Sequence, residues 1–151
     1  IEDLGKTDQL IAVDTQSSTM MTDLKKVKLA VISSCNSAVN MFSIYESNIS
    51  LRGAFEMAGT EQTIAALWEV GDCATAILMV LFYRYLYRDP PSVALNKAKQ
   101  KLRKLDYQEI EKDSDLINIW LESGEKKLSG HTKPFVEEQY WAAFICHRNG
   151  L

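Results

Sequence analysis

The residues best suited to nucleophilic or metal chemistry in this chain are Cys35, Cys73, Cys146, His131 and His147. No Cys-x-x-Cys pair and no cluster of histidines gives zinc-site spacing, and three scattered cysteines do not make a disulfide framework. A thiol nucleophile is one chemistry these residue types could supply. Cys35 has the telling context, because it closes the run Lys28-Leu-Ala-Val-Ile-Ser-Ser-Cys35. An apolar run rich in β-branched residues reads as a strand buried on both faces, as in parallel sheets. The C-terminal end of such a strand is where loops gather and ligands bind, so the position suits a nucleophile. Residue type alone points the other way, since free cysteines are among the most buried residues. Ser34, Asn36 and Ser37 flank Cys35 as turn formers. Asp72 stands at the start of a long apolar helix, where it reads as an N-cap.

The elements that must hold these residues follow from pattern. Gln9–Asp14 reads as a short strand at a sheet edge or in a hairpin, Thr22–Lys26 as one capped helical turn, and Val27–Ser34 as the central strand. Residues 36–50 form a polar loop, too long for an ordinary strand-to-helix connection. Leu51, Ala54, Phe55 and Ala58 share a helical face that Gly59 terminates. Gln62–Trp68 reads as a second buried strand, which makes a βαβ unit with a right-handed crossover. A helix over 74–88 is apolar nearly all round, with Arg84 and Arg88 at its negative pole. Asp89-Pro-Pro-Ser92 breaks the chain and starts another helix. There Ala94, Ala98, Leu102 and Leu105 line one side, and Lys97, Lys99, Lys101, Arg103 and Lys104 fill the other, a nucleic-acid stripe or a solvated face, of which the acidic total favours the solvated face. Between 106 and 138 the pattern weakens, with a short amphipathic helix over 113–121 and a polar loop over 122–134 that holds His131. Tyr140–Cys146 reads as a closing strand.

Several of these segments, taken together, resemble one family. Val31-Ile-Ser-Ser-Cys35-Asn-Ser-Ala, Leu51-Arg-Gly-Ala-Phe-Glu-Met-Ala-Gly59, Ala66-Leu-Trp68-Glu-Val-Gly-Asp72, Leu81-Phe-Tyr83, Ala94-Leu95 and Tyr140-Trp-Ala-Ala-Phe144 stand in the order found in the C-terminal half of a CHAT domain. That is the caspase-like peptidase domain related to separase and often attached to tetratricopeptide repeats. The resemblance covers residues 20–147, with 106–138 as an insertion. It implies a caspase-like α/β/α sandwich around a mainly parallel sheet, truncated at the N-terminus, and a single domain over 1–151. It also implies a Cys/His cysteine endopeptidase in which Cys35 is the nucleophile. Ser34, Asn36 and Asp72 would contact substrate, Asp72 by receiving a basic side chain. The family's histidine precedes the cysteine, whereas His131 and His147 follow it and match no catalytic position. The dyad's base is therefore expected upstream of this chain, whose first residue is Ile rather than Met. Cys73 and Cys146 match no catalytic position and read as structural. Trp68 and Trp141 read as core or cleft wall, Trp120 as a contact for the upstream half.

Composition bounds the alternatives. The chain has 151 residues, is 46% hydrophobic and carries a formal charge of -3, which argues against a protein built to hold nucleic acid or an acidic membrane. The apolar stretch over 74–81 is far short of a membrane span and no signal peptide opens the chain. A reducing, cytoplasmic setting is expected, with no cofactor and no metal. The expected partners are a protein substrate and the upstream part of the same protein with its repeats. An oligomer formed through an exposed sheet edge is also expected. A second class is an inactive CHAT-like interaction module. A third, a small-ligand α/β domain, is weakest because no glycine-rich phosphate loop follows either strand.

Overall fold

In the computed structural model, residues 24–32, 52–127 and 130–149 are described, and the expected strand over 9–14 and loop over 36–50 lie outside them. The chain divides into two compact units, Ile1–Glu69 with Phe144–Leu151, and Val70–Ala143. With about half of the described residues helical and a three-stranded mixed sheet among them, the protein is α/β.

The first unit holds strands β1 (Leu29–Ile32) and β2 (Gln62–Ala66), the intervening helix α1 (52–57) and strand β3 (Phe144–Arg148), in the sheet order β1-β2-β3. β1 and β2 run parallel with Leu29 opposite Gln62 and Ile32 opposite Ala65. β3 is antiparallel to β2, from Ala66 opposite Phe144 to Gln62 opposite Arg148. Leu29, Ala30, Ile32, Thr63, Ile64, Ala65 and Ala66 are all buried, which explains why neither parallel strand alternates apolar with polar. Alternation along a strand instead sorts two buried faces. Ala30, Ile32 and Ala65 turn to a core that also contains Leu24, Val27, Phe55 and Ala58, so α1 covers that face.

Gly59 ends α1, as its sequence position implies. Its N–H donates to Glu56 O (3.0 Å) and the Thr60 N–H to Phe55 O (3.1 Å), the paired bonds of a Schellman turn. Its φ of +103° is one that side chains rarely adopt, and a Cβ there would lie 2.7 Å from Lys25 Cγ and 3.1 Å from Lys25 Cα. The expected helical turn before β1 is observed as a tight turn, closed by Val27 N–H donating to Leu24 O at 2.8 Å.

The second unit is helical: α2 (Asp72–Leu86), α3 (Pro91–Lys104), α4 (Tyr107–Lys112), α5 (Ser114–Ser123) and α6 (Glu138–Trp141). On α2 the rows Cys73, Ile77, Leu81 and Ala74, Leu78, Phe82 are buried, and α2 packs on α3, whose Ala94, Leu95, Ala98 and Leu102 are buried. Pro91 opens α3 at its first position, where a missing N–H costs nothing. None of these helices reaches the length and apolarity needed to cross a membrane, and neither does any other among the described residues.

Three expectations are corrected. Asp72 is not the cap of α2 but its first helical residue. Gly71 is the N-cap and has no side chain to cap with, while the Asp72 carboxylate still sits at the positive pole. Tyr140 and Trp141 are not in the closing strand, because they end α6 and the strand begins at Phe144. Trp120 is buried within its own unit, edge-on to Tyr107 (5.4 Å between centroids) and to Phe135 (6.1 Å), with Tyr140 continuing the row from Phe135 at 5.6 Å. The segment 106–138 carries α4, with an Asp106/Glu109 capping box, and α5, capped by Asp113.

Arg84 joins α2 to the start of α5. Its guanidinium donates to both oxygens of Asp113 (2.6 and 2.9 Å) and to Asp115 (2.6 Å), while Asp113 Oδ1 accepts from the Asp115 and Leu116 N–H groups. Those bonds hold the Asp113 carboxyl down at about 2, Arg84 being the larger cause.

Two outcomes are expected. Gly59→Ala lowers unfolding stability by more than ~1 kcal/mol in a urea titration, since strain and collision act together. An unchanged midpoint would refute the fit around Lys25. The Asp113 carboxyl, depressed when folded, contributes stability above the unfolded carboxylate range that is lost as pH falls through about 2. Arg84→Met removes that contribution, by no more than ~1 kcal/mol at neutral pH because the pair is partly exposed. The wild-type and variant stabilities then converge as pH falls from about 4 to 2. A constant difference across that range would contradict the assignment.

Candidate active site

The parallel pairing gives β1 and β2 a shared C-terminal edge, where Ile32 lies opposite Ala65 and Ala66 opposite Phe144. Cys35 follows three residues after Ile32 in the sequence, but Ser34, Cys35 and Asn36 lie outside the described residues. Past β2, Leu67 and Trp68 are half-buried and Glu69 is exposed. Asp72 belongs to the second unit, where it is exposed on the first turn of α2.

The other two cysteines sit in environments that oppose thiolate formation. Cys73, on the first turn of α2, is only 3% exposed. Burial pushes its thiol up, which outweighs the hydrogen bond from Ser123, and Glu125 adds to the rise. Cys146, half-buried on β3, has its Sγ 3.9 Å from Gln62 Oε1, and burial pushes it up too. A helix N-terminus would ordinarily favour the thiolate of Cys73, so enclosure is the stronger effect here.

Within the first unit, His147 does not stand at the C-terminal edge of the parallel strands. His131 is exposed in the segment before α6. His147 lies opposite Thr63, which in turn lies opposite Ala30, so it is two positions back from the Ile32 end of β1 and on the α1 side of the sheet. Its Nε2 is 3.5 Å from Glu56 Oε1, which also lies 3.2 Å from Arg52 Nε. That carboxylate oxygen is buried between the guanidinium and the imidazole without hydrogen-bond geometry to either. Asn149 completes the contact, with Nδ2 donating to Glu56 O (2.9 Å) and the backbone N–H to Glu61 O (2.9 Å).

The pattern of the sequence gave no sign of this clasp between the end of β3 and the last turn of α1. Glu56 faces Arg52 at i,i+4, a legible pair, but His147 and Asn149 come from ninety residues away and carry no local signal. Among the described residues no group of three or more His, Cys, Asp or Glu side chains gathers to hold a metal ion.

Iodoacetamide at neutral pH is expected to leave Cys73 and Cys146 largely unmodified in the native protein, with labelling rising toward alkaline pH and at least about tenfold in denaturant. Peptide mass spectrometry of each site reads the result, and fast native labelling of Cys73 would contradict its enclosure.

The family model described as CHAT domain matches residues 7–149. No curated protein and no solved structure matches the chain.

Proposed function

The chain belongs to the CHAT domain family of caspase-like, peptidase-related domains, and we propose that it carries the nucleophile of a cysteine endopeptidase acting on protein substrates. The observation that carries this reading is the buried parallel strand β1, paired to β2 through an α1 crossover, with Cys35 following it in the sequence. In open α/β sheets that edge is where reacting groups stand.

On this reading a histidine takes the Cys35 thiol proton and the thiolate attacks the scissile carbonyl. Backbone N–H groups beside Cys35 stabilise the resulting oxyanion. The C–N bond then breaks, the histidine returns its proton to the leaving amine, and water hydrolyses the thioester, which regenerates the thiol. Ser34 and Asn36 shape the turn that receives the substrate backbone, and Asp72 attracts a basic side chain N-terminal to the cleaved bond. No residue from 1 to 34 is a histidine, and His131 and His147 match no catalytic position of the family, so this reading assigns the base to sequence outside residues 1–151. The partners of the reading are the protein substrate, an upstream region of the same protein bearing tetratricopeptide repeats that holds the site inactive, and a second copy paired along a sheet edge. The setting is cytoplasmic, supported by the absence of a disulfide framework in the sequence.

The lack of a histidine among residues 1–34 also favours a second reading, an inactive CHAT-like interaction module. The two separate on the longer protein that includes the residues before position 1. The peptidase reading expects cleavage within a peptide library that falls by at least about a thousandfold in Cys35→Ala, with the fold retained. No cleavage by the wild-type protein, or no histidine after an apolar strand upstream, favours the module instead, and cleavage that survives Cys35→Ala refutes Cys35 as the nucleophile.

A further inference from the structure

The basic side chains of α3 divide into two kinds. Lys97 and Lys101, on one flank, are neutralised within the molecule, Lys97 by Asp89 at 2.8 Å and Lys101 by Glu109. Lys99 and Arg103, one turn apart on the other flank, have no carboxylate partner among the described residues. Lys99 is nevertheless half-buried, and burial without a counter-ion holds its ammonium below the usual lysine range. Arg103 is held by a ring instead, with Cζ 5.3 Å from the centroid of Trp141, whose indole N–H donates to Val136 O at 3.2 Å.

Helical spacing extends this flank. Asn96 and Ser92 stand about one turn and about two turns before Lys99 on the same side, and both are exposed. Ser92, Asn96, Lys99 and Arg103 thus form a row about 16 Å long at 1.5 Å per residue, with hydrogen-bond donors throughout and no carboxylate in it. A partly desolvated cation lacking its counter-ion gains more from an arriving carboxylate than a solvated one does. An extended chain of about five residues spans the same length.

We propose that the Ser92–Asn96–Lys99–Arg103 row of α3, walled by Trp141, is a docking strip for an acidic, extended peptide segment of a partner protein. Charge complementarity selects the occupant. The strip offers two unneutralised cations beside neutral donors, which suits a few spaced carboxylates. A polyphosphate backbone would instead meet a chain of net charge -3. The proposal does not rest on the Cys35 chemistry, and its test needs no peptidase activity.

The probe is a fluorescein-labelled octapeptide of alternating Glu and Gly, titrated with the protein and read by fluorescence anisotropy at low and physiological salt. Saturable binding is expected that weakens at least about tenfold in the Lys99→Glu/Arg103→Glu double variant, and also in Lys99→Gln/Arg103→Gln. Lys104→Glu, an exposed change off the strip, should leave binding within about twofold. Circular dichroism verifies that each variant is folded. Absence of binding to the wild-type protein overturns the proposal, as does equal weakening by Lys104→Glu, which would mark a diffuse field. Tighter binding of a single-stranded oligothymidylate, lost in the same double variants, overturns it in favour of nucleic acid.

Discussion

The parallel pairing of β1 with β2 is the constraint on which the first unit depends. Two parallel neighbours cannot be joined by a tight turn, so the chain must leave the sheet after β1 and return at the start of β2. α1 lies on that return path, and its apolar residues Phe55 and Ala58 cover the face formed by Ala30, Ile32 and Ala65. Reversal at Gly59 then delivers Gln62 into register with Leu29. The left-handed turn is therefore part of the strand pairing rather than a separate detail. Without it, Thr60 and Glu61 would not reach the positions from which Glu61 N–H donates to Val27 O at 3.0 Å.

The second unit rests on a different balance. α2 is buried along two adjacent rows, and the small Ala94 and Ala98 of α3 allow close approach there. Burial of that apolar surface drives the packing, at roughly 25 cal/mol per Å². Direction comes from polar contacts at the margins. Arg84 fixes the N-cap of α5, and the Asp106/Glu109 box opens α4, with Lys101 of α3 also bound to Glu109. These exposed pairs add little energy, but each specifies which helix end sits beside which.

Much of this was legible in the sequence, for identifiable reasons. β1, β2, α1 with its glycine stop, α2 and α3 all announce themselves through periodicity and punctuation, and the structure places each within a few residues of the expected bounds. α4 was missed, although Asp106-x-x-Glu109 is a readable start signal, because six residues with two buried side chains show little period. The closing strand was begun too early because Tyr140 to Cys146 is mostly apolar in either conformation. What decides it is tertiary: the Trp141 ring meets Arg103 and its N–H meets Val136 O, contacts that a strand through 140–141 would forgo. Asp72 was placed one position late as a cap, since pattern does not separate a capping carboxylate from one in the first turn, where both favour the positive pole. Of the site, the strand leading to Cys35 followed from pattern, whereas the enclosure of Cys73 and the contact of His147 depend on packing and pairing that no local rule supplies.

That engagement gives β3 a role beyond closing the sheet. An antiparallel strand laid against β2 runs back toward the N-terminal ends of the parallel pair, so the residues after Cys146 arrive beside the end of α1. There the imidazole of His147 and the amide of Asn149 meet Glu56 and the carbonyls that every helix leaves unpaired at its C-terminus. The crossover helix is consequently held from two directions, by the apolar core beneath it and by the last residues of the chain. Because Glu56 Oε1 is buried between Arg52 and His147, removing Arg52 would leave a carboxylate poorly compensated, a larger loss than an exposed ion pair implies. The order of α1, and with it the geometry of the return path into β2, therefore depends on sequence nearly a hundred residues downstream.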